Sequence, residues 1–333
     1  MIDYALVWGG LIALAVLVYV LLDGFDLGIG ILFPFLGGDY HKDLAMTSVA
    51  PVWDGNETWL ILGGGGLFAV FPLAYAILMP AMYAPIIAML LGLVLRGVAF
   101  EYRWRTQRGR FIWDWSFTVG SLIATLCQGI ILGALVQGVT IEDRAYAGGW
   151  WDWLTPFSIA TGIAMVIGYS LLGATWLVMK TEGLMQRRVQ AIAWITALLM
   201  PLLIVTISIW TAATQPGYLD RWTSWPSMLL VAPVPILLVA SWLGLIKGLN
   251  DHREVQPFVS AIGLFTLCYI VLGISFYPNL IPPSVSVWDA AGPDKSLGFL
   301  LAGAVVLLPI ILFYTGYAYR AFWGKVDLSS GYH

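Results

Sequence analysis

The sequence carries very little charge for its length. Only 11% of its 333 residues are Asp, Glu, Lys or Arg, whereas 60% are apolar. Soluble domains carry about 25% charged residues, so this chain lacks the polar side chains that would cover a water-facing surface. This scarcity excludes a soluble enzyme and a disordered protein. The net charge of −3 gives no basis for binding nucleic acid.

Cysteine and histidine are scarce as well. Cys127 and Cys268 lie in apolar stretches outside any CxxC pair, so the sequence predicts neither a disulfide framework nor a metal motif. The three histidines, His41, His252 and His333, fall outside the predicted membrane spans. Haem and copper centres in membranes usually take imidazole ligands from helices. We therefore expect this chain to ligate no haem or other metal.

Long apolar stretches, in contrast, recur throughout the chain. A helix needs about 20 mostly apolar residues to cross a hydrocarbon core of about 30 Å. Nine stretches meet this requirement, which predicts an all-α polytopic protein and a single integral-membrane domain over residues 1–333. The first stretch lacks a signal-peptide cleavage site, so we expect it to be retained. The predicted spans are 4–26, 50–71, 75–97, 116–138, 157–179, 191–212, 226–247, 258–278 and 298–320.

The second and third spans share one long uncharged stretch. Residues 59–95 carry no charge, and a single helix of this length would be about 55 Å long, too long for one crossing. The Phe71-Pro72 step is the natural break. The second span must then begin upstream of Asp54 and Glu57, which places both carboxylates within the membrane or at its edge, where they are energetically costly.

Lysine and arginine are unequally distributed between the two sides of the membrane. Twelve lie in the gaps and tail on one side and three on the other, with Arg96 at a span end on the richer side. Cytoplasmic loops carry the excess of these residues. The distribution therefore predicts an amino terminus outside and a carboxyl terminus in the cytoplasm.

Charged residues in or near the first three spans form the candidate site. The six residues are Asp23, Asp26, Asp54, Glu57, Arg96 and Glu101. The acids of the first two spans form two pairs, and the three-residue spacing within each pair places its members on one helix face. The topology places all six residues in the cytoplasmic half. We therefore predict one polar cluster, formed by the first three helices and open towards the cytoplasm.

Two interpretations of this cluster are open. Carboxylates inside membranes commonly form proton relays or cation sites. Alternatively, Arg96 pairs with one or two carboxylates and only locks three helices together. At the level of the whole chain, a proton- or cation-coupled secondary transporter and a purely structural scaffold for a catalytic partner are two candidate functions. Transporters often contain internal repeats, but the acidic motifs do not recur after residue 140.

Three motifs carry a family resemblance. They are LDGFDLGIG at residues 22–30, APVWDGNE at residues 50–57 and RGVAFEYR at residues 96–103. Together with weaker similarity over essentially the whole chain, they resemble subunit II of cytochrome bd-type quinol oxidases, a family that includes the cyanide-insensitive oxidases. The resemblance implies two four-helix bundles plus one peripheral helix.

The resemblance also implies an activity and its partners. The chain would pair with a haem-bearing subunit I that holds two b-type haems and one d-type or b-type haem, and small accessory subunits are possible. The complex would oxidise quinol, reduce O2 to water and take protons from the cytoplasm without pumping them. Its location would be the bacterial inner membrane. Some members hold a structural quinone in subunit II, but no motif locates one in this chain.

The same resemblance suggests roles for individual residues. By its motif position Asp54 resembles a carboxylate of a proton path towards the oxygen-reducing haem, and Asp26 resembles a residue that helps to hold a cation. Glu101 occupies a position where other members have Asp. The proton path is thus assigned to Asp54, Asp23, Glu57 and Glu101, and the cation or salt-bridge role to Asp26 and Arg96.

Overall fold

Long apolar helices make up most of the chain in the computed structural model, which describes residues 2–327. The helices are α1 Tyr4–Leu32, α2 Asp39–Val49, α3 Trp53–Val70, α4 Pro72–Ala81, α5 Tyr83–Arg105, α6 Arg110–Gln137, α7 Pro156–Lys180, α8 Gly183–Thr214, α9 Pro216–Thr223, α10 Ser227–Val231, α11 Val234–Asn250, α12 Gln256–Phe276, α13 Val287–Ala290 and α14 Asp294–Ala321. Two small antiparallel hairpins pair β1 Ile141–Glu142 with β2 Ala145–Tyr146 and β3 Asn279–Ile281 with β4 Val285–Ser286.

The number of membrane spans agrees with the sequence. Within residues 2–327, eight helical segments are long and apolar enough to cross a membrane, and α3 with α4 makes a ninth if that bent pair is one span. The prediction of an all-α polytopic membrane protein is confirmed.

The spans pack as two groups of four helices. In the first bundle, α1 packs against α3 and α6, and α5 packs against α6. In the second, α7 packs against α8 and α12, and α11 packs against α8 and α12. Contacts of α7 with α1 and α6 join the bundles, while α14 touches α1 and is otherwise largely exposed. This is the arrangement of two bundles and a peripheral helix that the resemblance implies.

The loops gather at two opposite ends. At one end, called here the basic end, the Val326 N–H donates to the Lys180 carbonyl at 2.9 Å and the Arg188 guanidinium donates to the Leu36 carbonyl at 2.8 Å. This end collects the segments that are rich in Lys and Arg. The opposite end, called the hairpin end, carries both β-hairpins.

The connection between the second and third spans differs in part from the prediction. The helix breaks at Phe71 as expected, but α4 then bends by 119° relative to α3, and the next span begins at Tyr83 instead of residue 75. Pro72 occupies the first turn of α4, and Met82 leaves the helical conformation with φ −115° and ψ 22°. At the hairpin end, α4 packs against α3, β2 and α13.

Other element boundaries differ as well; α6 begins at Arg110 instead of residue 116, and α8 at Gly183 instead of residue 191. Helix α1 continues to Leu32 instead of residue 26, so Asp23 and Asp26 lie inside the helix and are fully buried. Partners on neighbouring helices, Arg96 for Asp23 and Asn56 for Asp26, compensate for the burial of the two acids. Helix α2 lacks a long apolar stretch and was not predicted.

Helices α1 and α7 cross at glycines. A Cβ atom built on Gly28 would collide with the backbone carbonyl of Tyr169, and one built on Gly173 would lie 2.6 Å from the Gly28 carbonyl carbon. Small residues allow membrane helices to approach this closely. The crossing therefore requires glycine on both helices, one half-turn beyond Asp26.

Substitution at this crossing tests the packing. We expect Gly28→Ala to lower stability by about 1–3 kcal/mol, the usual cost of overpacking, because the two backbones must separate. Gly273→Ala is the matched control, since its Cβ meets no atom within 4 Å. Yield and unfolding midpoint of the detergent-purified protein measure the effect. Equal midpoints for the two variants would contradict the packing described.

Candidate functional site

A buried arginine occupies the centre of the first bundle. Arg96 of α5 is 0% exposed; its Nη1 donates to Asp23 Oδ1 of α1 at 2.5 Å, and its Nη2 donates to Glu57 Oε2 of α3 at 2.6 Å. Asp23 is also 0% exposed, whereas the Glu57 side chain is 26% exposed. One guanidinium thus joins three helices, and its two carboxylates differ in access to the surface.

A second acid lies beside this group with a neutral partner. Asn56 Nδ2 donates to Asp26 Oδ2 at 2.7 Å, and the Tyr319 hydroxyl donates to Asn56 Oδ1 at 2.8 Å. Within residues 2–327 no Lys or Arg nitrogen lies within 4.0 Å of the Asp26 carboxylate. The amide of Asn56 therefore connects Asp26 to the peripheral helix α14.

Several buried polar atoms in and near the site could accept or donate a further hydrogen bond. Asp23 Oδ2, Asp26 Oδ1 and Arg96 Nε are buried without a hydrogen-bond partner among the described atoms, as are the hydroxyls of Ser121 and Thr125 on α6. Buried polar atoms in proteins are nearly always hydrogen-bonded, to protein or to ordered water. The two acid oxygens are the positions at which a water molecule or a small cation would find ligands.

The other two candidate acids lie at the surface of the chain. Asp54, in the first turn of α3, is exposed and stands three residues before Glu57. Glu101 is 63% exposed and has only Arg105, at 3.9 Å, as an ion partner among residues 2–327. The prediction that Glu101 joins the cluster is wrong, because five residues along a helix rotate its side chain by about 140° from Arg96.

Sequence reasoning missed a second ionic network at the basic end. Arg103 is fully buried and donates to Asp43 Oδ1 and Asp114 Oδ1, each at 2.6 Å. Lys42 binds Asp114 and Arg110 binds Asp43, also at 2.6 Å. The network joins α2, α5 and α6. The seven-residue spacing between Arg96 and Arg103 was the available signal, since it places both on one face of α5.

A neutral chain of hydrogen bonds was missed as well. Gln128 Nε2 of α6 donates to the Tyr19 hydroxyl at 2.6 Å, and the Tyr169 hydroxyl of α7 donates to Gln128 Oε1 at 2.9 Å. Tyr19 stands one helical turn before Asp23 on α1. The polar interior of the first bundle thus extends to the second bundle. A glutamine within an apolar span was the signal in the sequence.

The two described histidines lie outside the span helices. His41 belongs to α2, where its ring nitrogen lies 3.1 Å from the Leu36 carbonyl, and His252 lies between α11 and α12, 2.9 Å from the Gln190 amide. His333 lies outside the described residues. Residues 2–327 contain no group of three or more His, Cys, Asp or Glu that could hold a metal ion.

Comparison with known proteins decides the family. The sequence profile of the family described as cytochrome bd terminal oxidase subunit II matches residues 4–322. The chain belongs to this family. It is 31% identical to cytochrome bd-I ubiquinol oxidase subunit 2 of Escherichia coli K12, over 98% of this chain and 97% of the relative. It is 27% identical to cytochrome bd ubiquinol oxidase subunit 2 of Bacillus subtilis 168, over 96% of each.

A solved structure supports the fold. The bd oxidase of Geobacillus thermodenitrificans contains a chain that superposes with a TM-score of 0.79 at 16% identity, over 96% of this chain and 99% of that chain. As a member of this family, the protein is a multi-pass membrane subunit of an oxidoreductase complex, the cytochrome bd terminal oxidase. Family membership favours this function over the transporter and scaffold alternatives.

Removal of the Arg96 side-chain charge tests the centre of the site. We expect Arg96→Leu to destabilise the complex by about 3–5 kcal/mol, because it leaves two carboxylates without their cation in a buried position. Arg105→Leu is the matched control on the same helix, since its side chain is 79% exposed. Yield, haem content and unfolding midpoint of the purified complex are the measurements. A normal midpoint for Arg96→Leu would show that the ion pairs do not hold the three helices.

Proposed function

We propose that this chain is the non-haem subunit II of a bacterial terminal oxidase that oxidises quinol and reduces O2 to water. Family membership supports the proposal, as do the names of the E. coli and B. subtilis relatives, both ubiquinol oxidase subunits. A haem-bearing subunit I is the partner. Small accessory subunits and a structural quinone stay predictions from the resemblance.

The donor set of this chain argues against a haem of its own. The two described histidines lie outside the span helices, and their ring nitrogens contact the Leu36 carbonyl and the Gln190 amide. The haems, two b-type and one d-type or b-type, would be held by subunit I, where they would supply the electron transfer and oxygen chemistry. Subunit II would contribute structure and proton supply.

The orientation follows from the charge distribution. The basic end carries most of the Lys and Arg residues, and by the positive-inside rule this supports a cytoplasmic location for it. The amino terminus is then outside, and the chain lies in the inner membrane. The buried site opens from the basic half of α1, α3 and α5, so protons would enter it from the cytoplasm.

A gradient of exposure across three acids supports the proton-supply role. Asp54 is exposed, Glu57 three residues later is 26% exposed, and Asp23 is fully buried. Glu57 and Asp23 bind the same guanidinium, which fixes their oxygens and keeps α1 and α3 at a constant distance. The arrangement would move a proton from the surface to the buried acids, with ordered water at the oxygens that lack a protein partner. This stepwise burial is the observation that carries the proposal.

Substitution of the surface acid tests the proton path. We expect Asp54→Asn to slow oxygen consumption roughly a hundredfold, the lower end of the range for loss of a positioned proton-transfer group. The haem content should stay normal, because the Asp54 side chain is exposed and its loss leaves the buried ion pairs intact. Oxygen uptake per haem in the purified complex gives the result.

The control for this test is Asp251→Asn. Asp251, at the end of α11 in the second bundle, is also exposed and pairs with Arg253 at 3.6 Å. Unchanged turnover in Asp54→Asn would contradict a role for Asp54 in the proton path. The buried ion pairs would then have a structural function only. The oxidase assignment has its own test, because the chain must co-purify with a partner that shows reduced-haem absorption bands.

A further inference from the structure

A cavity of about 140 Å³ opens at the basic end, apart from the acidic cluster. It lies between the end of α7, the loop before α12 and the segment after α14. Lining residues include Lys180, Glu254, Val255, Trp323 and Lys325. A water molecule in the liquid takes about 30 Å³, so the cavity has room for several waters or for a tetrahedral oxyanion.

The segment after α14 completes this cavity by returning across the end of α7. The Val326 N–H donates to the Lys180 carbonyl at 2.9 Å, and the Lys325 ammonium donates to the Thr181 carbonyl at 3.0 Å. The Lys180 ammonium in turn donates to the Phe322 carbonyl at 2.8 Å. Three hydrogen bonds therefore fix the cavity wall.

The charge balance of the cavity is positive. Lys325 and Glu254 form an ion pair at 2.6 Å, and the hydrogen bond from Lys325 lowers the pKa of the Glu254 carboxyl, so this pair is neutral as a unit. Lys180 is 4% exposed, and no carboxylate oxygen of residues 2–327 lies within 4.0 Å of its ammonium. Its ammonium contacts one carbonyl and lies 4.9 Å from the centre of the Trp176 ring. It also lies 5.9 Å from the centre of the Trp323 ring. A buried cation without a carboxylate partner among the described residues gains from an anion nearby.

The position of the cavity matches the polar border of the membrane. Phe322 and Trp323 are 48% and 66% exposed, and α14 before them presents an apolar outer surface. Tryptophan side chains concentrate where hydrocarbon meets headgroups. Basic pockets between membrane helices on the cytoplasmic side bind anionic lipid headgroups.

We propose that this cavity is a binding site for a phosphate group, carried by the headgroup of an anionic lipid or present as inorganic phosphate. The phosphate oxygens would accept hydrogen bonds from the Lys180 ammonium, which has no carboxylate oxygen within 4.0 Å among residues 2–327. A bound phosphate would join α7, the loop before α12 and the segment after α14, and so hold the peripheral helix against the second bundle.

The test uses the purified oxidase complex after delipidation. Native mass spectrometry would compare retention of phosphatidylglycerol with that of phosphatidylethanolamine. We expect Lys180→Gln to weaken phosphatidylglycerol binding about fivefold, the effect of removing about 1 kcal/mol of attraction. Lys180→Arg, which keeps the charge, should bind normally. So should Lys247→Gln, which removes an exposed charge at the same end.

A second variant gives a result in the opposite direction. Glu254 is 47% exposed, so Glu254→Gln should fold, and removal of its negative charge should strengthen phosphate binding. This variant keeps the test decisive if Lys180→Gln fails to assemble. Weaker binding or no change in Glu254→Gln would count against the proposal.

Inorganic phosphate distinguishes the two sources. A rise in unfolding midpoint with sodium phosphate over sodium chloride at equal ionic strength, lost in Lys180→Gln, assigns the site to the free anion. Stabilisation by phosphatidylglycerol alone, lost in the same variant, assigns it to lipid. The proposal is overturned if neither ligand stabilises the parent complex. It is also overturned if the ligands stabilise Lys180→Gln as much as they stabilise the parent.

Discussion

A single guanidinium inside the first bundle fixes the positions of three membrane helices. Arg96 is fully buried, and its charge is compensated by Asp23 on α1 and Glu57 on α3. Such a buried pair adds little net stability compared with apolar packing, but a helix that loses its register leaves charges unpaired at high cost. The ion pairs therefore select one relative placement of α1, α3 and α5. The glycine crossing of α1 with α7 then places the second bundle relative to that centre.

Further ion pairs and hydrogen bonds between helices lie on both sides of this centre along the helix axes. One heptad further along α5, Arg103 repeats the arrangement with acids on α2 and α6. One turn back along α1, Tyr19 begins the hydrogen-bonded chain through Gln128 to α7. A lipid-facing surface excludes such groups. The polar groups therefore lie between helices at several levels, from the basic end to the middle of the first bundle.

The sequence predicted features that depend on local composition and missed those that depend on distant contacts. Span positions and the break at Phe71 follow from hydropathy and proline, so they could be predicted. The 119° bend could not, because its direction depends on packing of α4 against β2 and α13. Asn56 and Tyr319 are neutral and 263 residues apart, so no charge pattern pointed to their contact. Glu101 belongs to a matching motif, yet helix rotation places it on the outer face.

The exposed position of Asp54 carries a consequence for the assembly. A carboxylate on the outer face of a membrane helix is costly in contact with hydrocarbon, so it needs water or a polar partner. Asp54 lies in the first turn of α3, at the basic end of the bundle. The chain alone offers it no cation within 4.0 Å among residues 2–327. A neighbouring subunit that covers this edge of α3 would provide the polar surroundings, and it would stand next to the entrance to the buried acids.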